Sequence, residues 1–400
     1  MKPLSGIRVV DLTRLLSGPF ATQALADLGA EVIKVEPPSG DRARRNGPLV
    51  SGQSTYFASL NRGKKSLVLN LKDARAREAL LRLVQTVDVV VENFRPGVMA
   101  RLGLGYPVLR ETNSRLVYVS CTGFGQTGPL GGRPALDIVI QARAGTMQIT
   151  GAEGGEPARV GFSIGDLGGG LYTTLGVLAG LQQRERTGAG VHIDVSMLDA
   201  QVSLLENAFA RFFATGAEPV RLGTRHPVLA PFQAFWAADR MLVVAASTDV
   251  HWRALLSVLG LQELADNPAY REAGSRQAHY STLAAALEAR FRERNAGDWL
   301  ERLAEAGVPS GPVNHIGETA AEPQLIHRQV FRDVESDGVP MRVVGPPYHF
   351  DGDPLPVSDH VPTLGEHTRS LLRDIGYTGD EIAQLLADGS ASADEGGGGD

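Results

Sequence analysis

Cysteine is almost absent. Cys121 is the single one in 400 residues, so no intrachain disulfide can form, and the pattern fits a reducing compartment. Cys121 ends an apolar run and reads as a small buried hydrophobe. No apolar run reaches the roughly twenty residues that a membrane-spanning helix needs. A signal-peptide run is missing as well, because Asp11 and Arg14 interrupt the apolar N-terminus. Excess positive charge is lacking: the formal net charge is −6, whereas a general nucleic-acid binder is usually basic. The nine histidines show no ligand spacing such as H-x-x-x-H, which argues against a metal site. These absences predict a cytoplasmic enzyme with no metal, no membrane anchor and no nucleic-acid partner.

The composition, 43% hydrophobic and 21% charged, is that of a soluble globular protein. Four hundred residues exceed one simple core and predict two domains. Strand-like runs at residues 7–12, 31–36, 66–71, 88–92 and 116–121 alternate with helical runs at 20–28, 73–86 and 96–104. That order predicts a doubly wound, Rossmann-like α/β domain with right-handed crossovers. Helices are expected over 137–144 and, unbroken, over 197–215. A β-hairpin is expected around Asp239-Arg240, followed by a mostly helical stretch. The boundaries read 1–215 for the first part of the large domain, 216–310 for a smaller α+β domain, and 311–390 for a linker and return. Residues 391–400 are low in complexity and read as a disordered tail.

The chain is organised around residues 161–170, GFSIGDLGGG, where Ser163 and Asp166 sit among five glycines. The uncharged run after it reads as a buried helix that stops at Thr187-Gly188. Asp166 therefore lies at a helix start. It is either an N-cap or a carboxylate nucleophile kept ionised by the helix dipole, and the glycines would let a ligand approach the backbone. Gly161-x-Ser163-x-Gly165 also matches a nucleophile elbow, but the strand before it is short and no oxyanion loop is apparent. Gly123-Phe124-Gly125-Gln126-Thr127-Gly128 has the letters of a dinucleotide fingerprint, yet Pro129 and Pro134 follow instead of a helix, which excludes NAD. Arg42, Arg44, Arg45, Lys64, Lys65 and Arg101 fall near strand ends. Singly they read as solvated charges; together they suit a ligand bearing phosphates. Asn93-Phe94 at a strand end could hydrogen-bond and stack on a flat heterocycle, or Phe94 could be core.

These motifs, in this order, resemble the family III CoA-transferases, a superfamily that also holds formyl-CoA:oxalate transferase and 2-methylacyl-CoA racemase. The likeness runs through residues 3–11, Gly18-Pro19, 28–36, 61–66, 92–97, 123–129, Gly165-Asp166, 188–190 and 364–368. It implies a large domain built from both chain ends, a smaller inserted domain and an interlocked homodimer. It implies Asp166 as the catalytic aspartate, with coenzyme A held by Arg14, Leu15, Leu16, Lys64, Asn93, Phe94 and Arg101, less firmly by Arg44, and Asp137 beside the site. The activity it implies moves CoA from a dicarboxylic acyl-CoA such as succinyl-CoA to a carboxylic acid, without metal or NAD. The alternatives are a 2-methylacyl-CoA racemase or epimerase, or a serine hydrolase using Ser163. Racemases of the superfamily carry a histidine before the residue matching Asp137; here Leu136 stands there, so one of their two proton-transfer groups is missing. Leu16 replaces a glutamine of the formyl-CoA:oxalate enzymes, which counts against oxalate. Residues 226–232, HPVLAPF, resemble a loop of members that handle dicarboxylic acids.

Overall fold

Val, Ile and Leu fill the strands of the main sheet almost without alternation, because helices cover both of its faces. The computed structural model describes residues 2–394. The strands are β1 (Arg8–Asp11), β2 (Glu31–Glu36), β3 (Lys65–Leu69), β4 (Val89–Glu92), β5 (Val117–Thr122), β6 (Val191–Ser196) and β7 (Ala391–Ser392). Their order is β7-β3-β2-β1-β4-β5-β6. All neighbours pair parallel except β7, which runs antiparallel to β3. The expected tail is thus corrected at its start: Ala391 and Ser392 pair with Leu69 and Val68, and Ala391 is buried. Apolar burial and ladder bonds outweigh the low complexity of the sequence there; residues 395–400 lie outside the described ones.

The helices used below are α1 (Ser17–Asp27), α2 (Ala74–Val84), α3 (Asp137–Arg143), α4 (Ile164–Thr187), α5 (Met197–Leu204) and α6 (Glu206–Thr215). One sheet face, with Val10, Ile33, Leu67 and Val90, buries Ala76, Leu80 and Leu83 of α2. The other, with Val9, Val32, Val89 and Val119, buries Leu25 of α1 and Val177 and Leu181 of α4. Each fully buried Val, Leu or Ile among them contributes roughly 1.5–3 kcal/mol. The expected helix over 197–215 is broken: Leu205 (φ −96, ψ 21) separates α5 from α6. Ser196 caps α5 by accepting the Asp199 N–H.

Contacts divide the chain into two units. The first takes the described parts of Met1–Thr146, Val160–Gly216 and Pro323–Asp400; the second takes Met147–Arg159 and Ala217–Glu322. Met147–Arg159, read from sequence as large-domain, goes with the second unit because Arg221 donates to the Gln148 and Gly155 carbonyls, both at 2.8 Å. Residues 311–322, read as linker, also belong there. Inside the second unit, Phe232–Trp236, Met241–Ala245 and Ser310–Pro312 form an antiparallel sheet. Its core includes Phe235, Trp252, Leu256, Leu287, Phe291 and Trp299. Among the described residues no helix is long and apolar enough to cross a membrane.

Strand order reverses at β1, which has β2 on one side and β4 on the other. The crevice beyond the carboxyl ends of β1 and β4 is the expected ligand position in such sheets. Two loops meet there, Thr13–Leu16 after β1 and Asn93–Gly97 after β4.

Candidate active site

Helix α4 starts at this crevice, and its first turn is capped from outside. Ser163 is the N-cap residue but makes no side-chain cap bond. Asp137, at the start of α3, does the capping: its Oδ1 accepts the Gly165 N–H at 2.8 Å and the Asp166 N–H at 3.4 Å. Gln141 braces the arrangement, donating to Asp137 Oδ2 (2.7 Å) and accepting the Val160 N–H (2.8 Å). Asp166 is therefore not the cap. It is the third helical residue, and its side chain lines a cavity of ≈ 540 Å³ with Ser17, Tyr56, Phe94, Cys121 and Ser163.

The electrostatics of Asp166 run opposite to the sequence expectation. Burial first, and the nearby Asp137 carboxylate second, push its pKa up to about 7. The helix dipole opposes both but is worth only fractions of a kcal/mol to about 2. Asp166 is thus poised between its two forms near neutrality rather than held ionised. It also acts on Tyr56, whose phenol is pushed up to about 12 by burial, then by Asp166 and Asp41.

The glycines after Asp166 serve packing. A Cβ on Gly170 would lie 2.7 Å from the Ser17 carbonyl, and one on Gly169 would lie 2.9 Å from Met197 Cγ. They let α4 press against α1 and α5. From Leu167, which donates to the Ser163 carbonyl at 3.0 Å, the amides are spent inside the helix. The amides of Gly165, Gly168, Gly169 and Gly170 are therefore not open to a ligand: Gly165 donates to Asp137, and the other three lie within α4.

Arg14, Leu15, Leu16, Asn93 and Phe94 all line the Asp166 cavity. Asn93 also bridges the two loops, accepting the Arg14 N–H and donating to the Arg14 carbonyl, each at 2.9 Å. The Arg14 guanidinium lies 4.9 Å from the centre of the Phe94 ring. Phe94 is half-buried beside the α2 core, so both readings of it hold in part. A second cavity of ≈ 410 Å³ shares Arg14 and Leu15 with the first and adds Arg42 and Arg45. Three arginines around one cavity make a site for an anion.

Asp137, Lys64, Arg44 and Arg101, all predicted to belong to the site, line neither of these cavities; Asp137 acts on the site through the first turn of α4. Lys64 is 1% exposed. Its ammonium bonds to Asp11 Oδ2 (2.9 Å), Thr22 Oγ1 (2.8 Å), Asn61 Oδ1 (3.0 Å) and the Pro19 carbonyl (3.2 Å). Burial lowers its pKa to about 8, against the pull of Asp11. Lys64 ties β1, α1 and the start of β3 together, and its donors are spent. Arg44 grips Glu36 through two nitrogens (2.8 and 2.7 Å), donates to the Pro362 carbonyl and stacks on Phe57. It faces a different cavity, beside residues 335–338. Arg101 is exposed and lines neither cavity. A lysine or arginine near a strand end looks the same in sequence whether its partner is a ligand or a buried carboxylate.

Sequence reasoning missed Tyr56, Ser17, Arg95 and Thr122, and it read Cys121 only as core; all five line the Asp166 cavity. Tyr56 lies inside a short helix, Thr55–Asn61, where one aromatic carries no pattern. Ser163 has no histidine among the residues lining its cavity, so the base that a serine nucleophile needs is absent from that wall. Among the described residues no cluster of His, Cys, Asp and Glu could hold a metal ion.

A family model described as CoA-transferase family III matches residues 4–368. The chain is 47% identical over 341 residues to an acetyl-CoA:oxalate CoA-transferase of Acetobacter aceti, covering 85% of this chain and 87% of the relative. It is 39% identical over 393 residues to a succinyl-CoA:glutarate CoA-transferase of Homo sapiens, covering 97% and 90%. A crystal structure of a CaiB/BaiF family protein from Brucella suis superposes with a TM-score of 0.83 at 37% identity, covering 94% of this chain and 99% of that one. With the family's match running over residues 4–368 and these relatives covering 85% and 97% of its length, the chain belongs to CoA-transferase family III.

Proposed function

We propose that this enzyme moves CoA from a dicarboxylic acyl-CoA, succinyl-CoA being the type, to a short carboxylic acid, through a thioester on Asp166. The observation that carries the reading is Asp166 itself: a partly buried carboxylate at the wall of the cavity that opens on the strand-end crevice. In the ionised form, Asp166 attacks the donor thioester carbonyl. The C–S bond breaks, and CoA leaves as thiolate, giving a mixed anhydride. The thiolate then attacks the Asp166 acyl carbon, which forms the aspartyl-CoA thioester and releases the donor acid. The acceptor carboxylate attacks that thioester, freeing the thiolate again. The thiolate attacks the acceptor's acyl carbon and restores the Asp166 carboxylate. No proton is consumed, and water must be kept out because it would hydrolyse either intermediate.

The residues take roles that suit this scheme. Arg14, Arg42 and Arg45 can bind the phosphates of CoA. Phe94, with Arg14 on its face, can pack against the cofactor. Tyr56, fully protonated at neutral pH, can donate to the developing oxyanion in place of the unavailable helix amides. Asp137 positions the first turn of α4. Relatives named for oxalate and for glutarate support a short dicarboxylic acid as the acceptor class, and the 47% identity to the oxalate-named relative weakens the objection drawn from Leu16. We assign a homodimer as the working form, since Leu171, Tyr172 and Leu175 of α4 and Ile138 of α3 are 37–58% exposed. Asp166→Asn tests the scheme: it keeps CoA binding and lowers turnover by about 1,000-fold or more. Turnover within tenfold of the parent would overturn the assignment.

A further inference from the structure

We propose that Asp41 is a positioning residue for acyl-CoA, holding Leu15 in a left-handed backbone conformation and so fixing the wall that the two cavities share. The proposal rests on the reading of those cavities as the acyl-CoA site. Leu15 has φ 66, a region that residues other than glycine enter only at a cost. Its N–H lies 3.3 Å from each carboxylate oxygen of Asp41. Asp41 is 1% exposed and is itself fixed. Lys34 Nζ is 3.0 Å away, the Ala43 N–H donates to it at 3.0 Å, and its own N–H donates to Glu36 Oε2 at 3.0 Å.

The rest of the loop is held the same way. Lys34 also donates to the Thr13 carbonyl at 2.9 Å. The Thr13 N–H and hydroxyl both donate to Asp11 Oδ1, at 2.8 and 2.5 Å. Asn93 brackets both polar groups of the Arg14 peptide. Side chains from outside the loop thus hold three successive residues, and the one with the costly conformation is held by a buried carboxylate. Without Asp41, Leu15 relaxes to negative φ. That swings Arg14 and Leu15, which line both cavities, away from the ligand.

The test is free-CoA affinity by calorimetry on the full chain, with melting temperature measured alongside. Leu15→Val and Leu15→Asn are compared first. Valine is nearer leucine in apolarity but is poorly tolerated at positive φ, whereas asparagine is tolerated there. The expected order is Leu15→Val weaker than Leu15→Asn, by about tenfold. Asp41→Asn alone weakens CoA binding about tenfold, with KM for acyl-CoA rising and KM for the acceptor acid unchanged; in the Leu15→Asn background its effect falls below about threefold. Leu15→Val binding better than Leu15→Asn, or an equal Asp41→Asn effect in both backgrounds, overturns the positioning role alone. The valine and asparagine comparison decides even if Asp41→Asn does not fold. A parent protein that binds no CoA overturns the reading of the cavities and this role with it.

Discussion

At the scale of single residues, one carboxylate is tuned by another. Burial does most to raise the pKa of Asp166, and the charge of Asp137, the residue that caps α4, raises it further. Asp137→Asn keeps an acceptor for the Gly165 N–H but removes the charge. The acid limb of kcat/KM, expected near pH 7 from Asp166, then moves to lower pH; an unmoved limb would mean that Asp137 does not set it. The same shift predicts a stability effect. A carboxylate whose pKa is raised on folding penalises the folded state above its folded pKa, and the penalty vanishes below the unfolded pKa of about 4. Asp166→Asn should therefore stabilise the protein at pH 8 by about 2 kcal/mol, discounted for partial exposure, and by almost nothing at pH 4. Thermal melts at the two values check the sign. Lys64 behaves differently. Lys64→Met leaves Asp11 buried without its 2.9 Å partner and costs about 3–5 kcal/mol, read by urea unfolding.

At the scale of elements, α4 explains what was legible and what was not. Its length and its stop at Gly188 follow from the uncharged run and the left-handed glycine (φ 71). The strands of the main sheet were readable for the same reason, since runs of Val and Ile bounded by Gly and Pro carry their own signal. The small C-terminal helix Gly379–Ala387 carries its own sequence signal in the Thr378–Glu381 capping box. Two things were not legible. The glycines of α4 look like a ligand cradle in sequence, but they are the contact of α4 with α1, a tertiary fact. The cap supplied by Asp137 comes from 28 residues away, beyond any local pattern. Gly170→Ala separates packing from cradle. Helix propensity alone favours alanine by about 1 kcal/mol. The Cβ, however, meets the Ser17 backbone oxygen at 2.7 Å, so the net change is a loss of about 1–3 kcal/mol in denaturant unfolding. A net gain would show that α1 and α4 yield there.

At the scale of the whole molecule, the site residues come from connections on both sides of the point where the strand order of the main sheet reverses. The Thr13–Leu16 loop, the Asn93–Gly97 loop and the start of α4 meet only because strand order reverses at β1. The exposed apolar side chains on α3 and α4 belong to this scale as well. Leu175→Glu, on a surface 58% exposed in the single chain, should shift a homodimer toward monomer in sedimentation velocity, and a parent that sediments as a monomer would refute the assembly. The central claim, a covalent aspartyl-CoA thioester, is tested most directly by intact-protein mass spectrometry after mixing with succinyl-CoA, followed by hydroxylamine quench and peptide mapping. A modification on the peptide that carries Asp166, absent from Asp166→Asn, is the predicted result. Full turnover with no modification of that peptide would contradict the account.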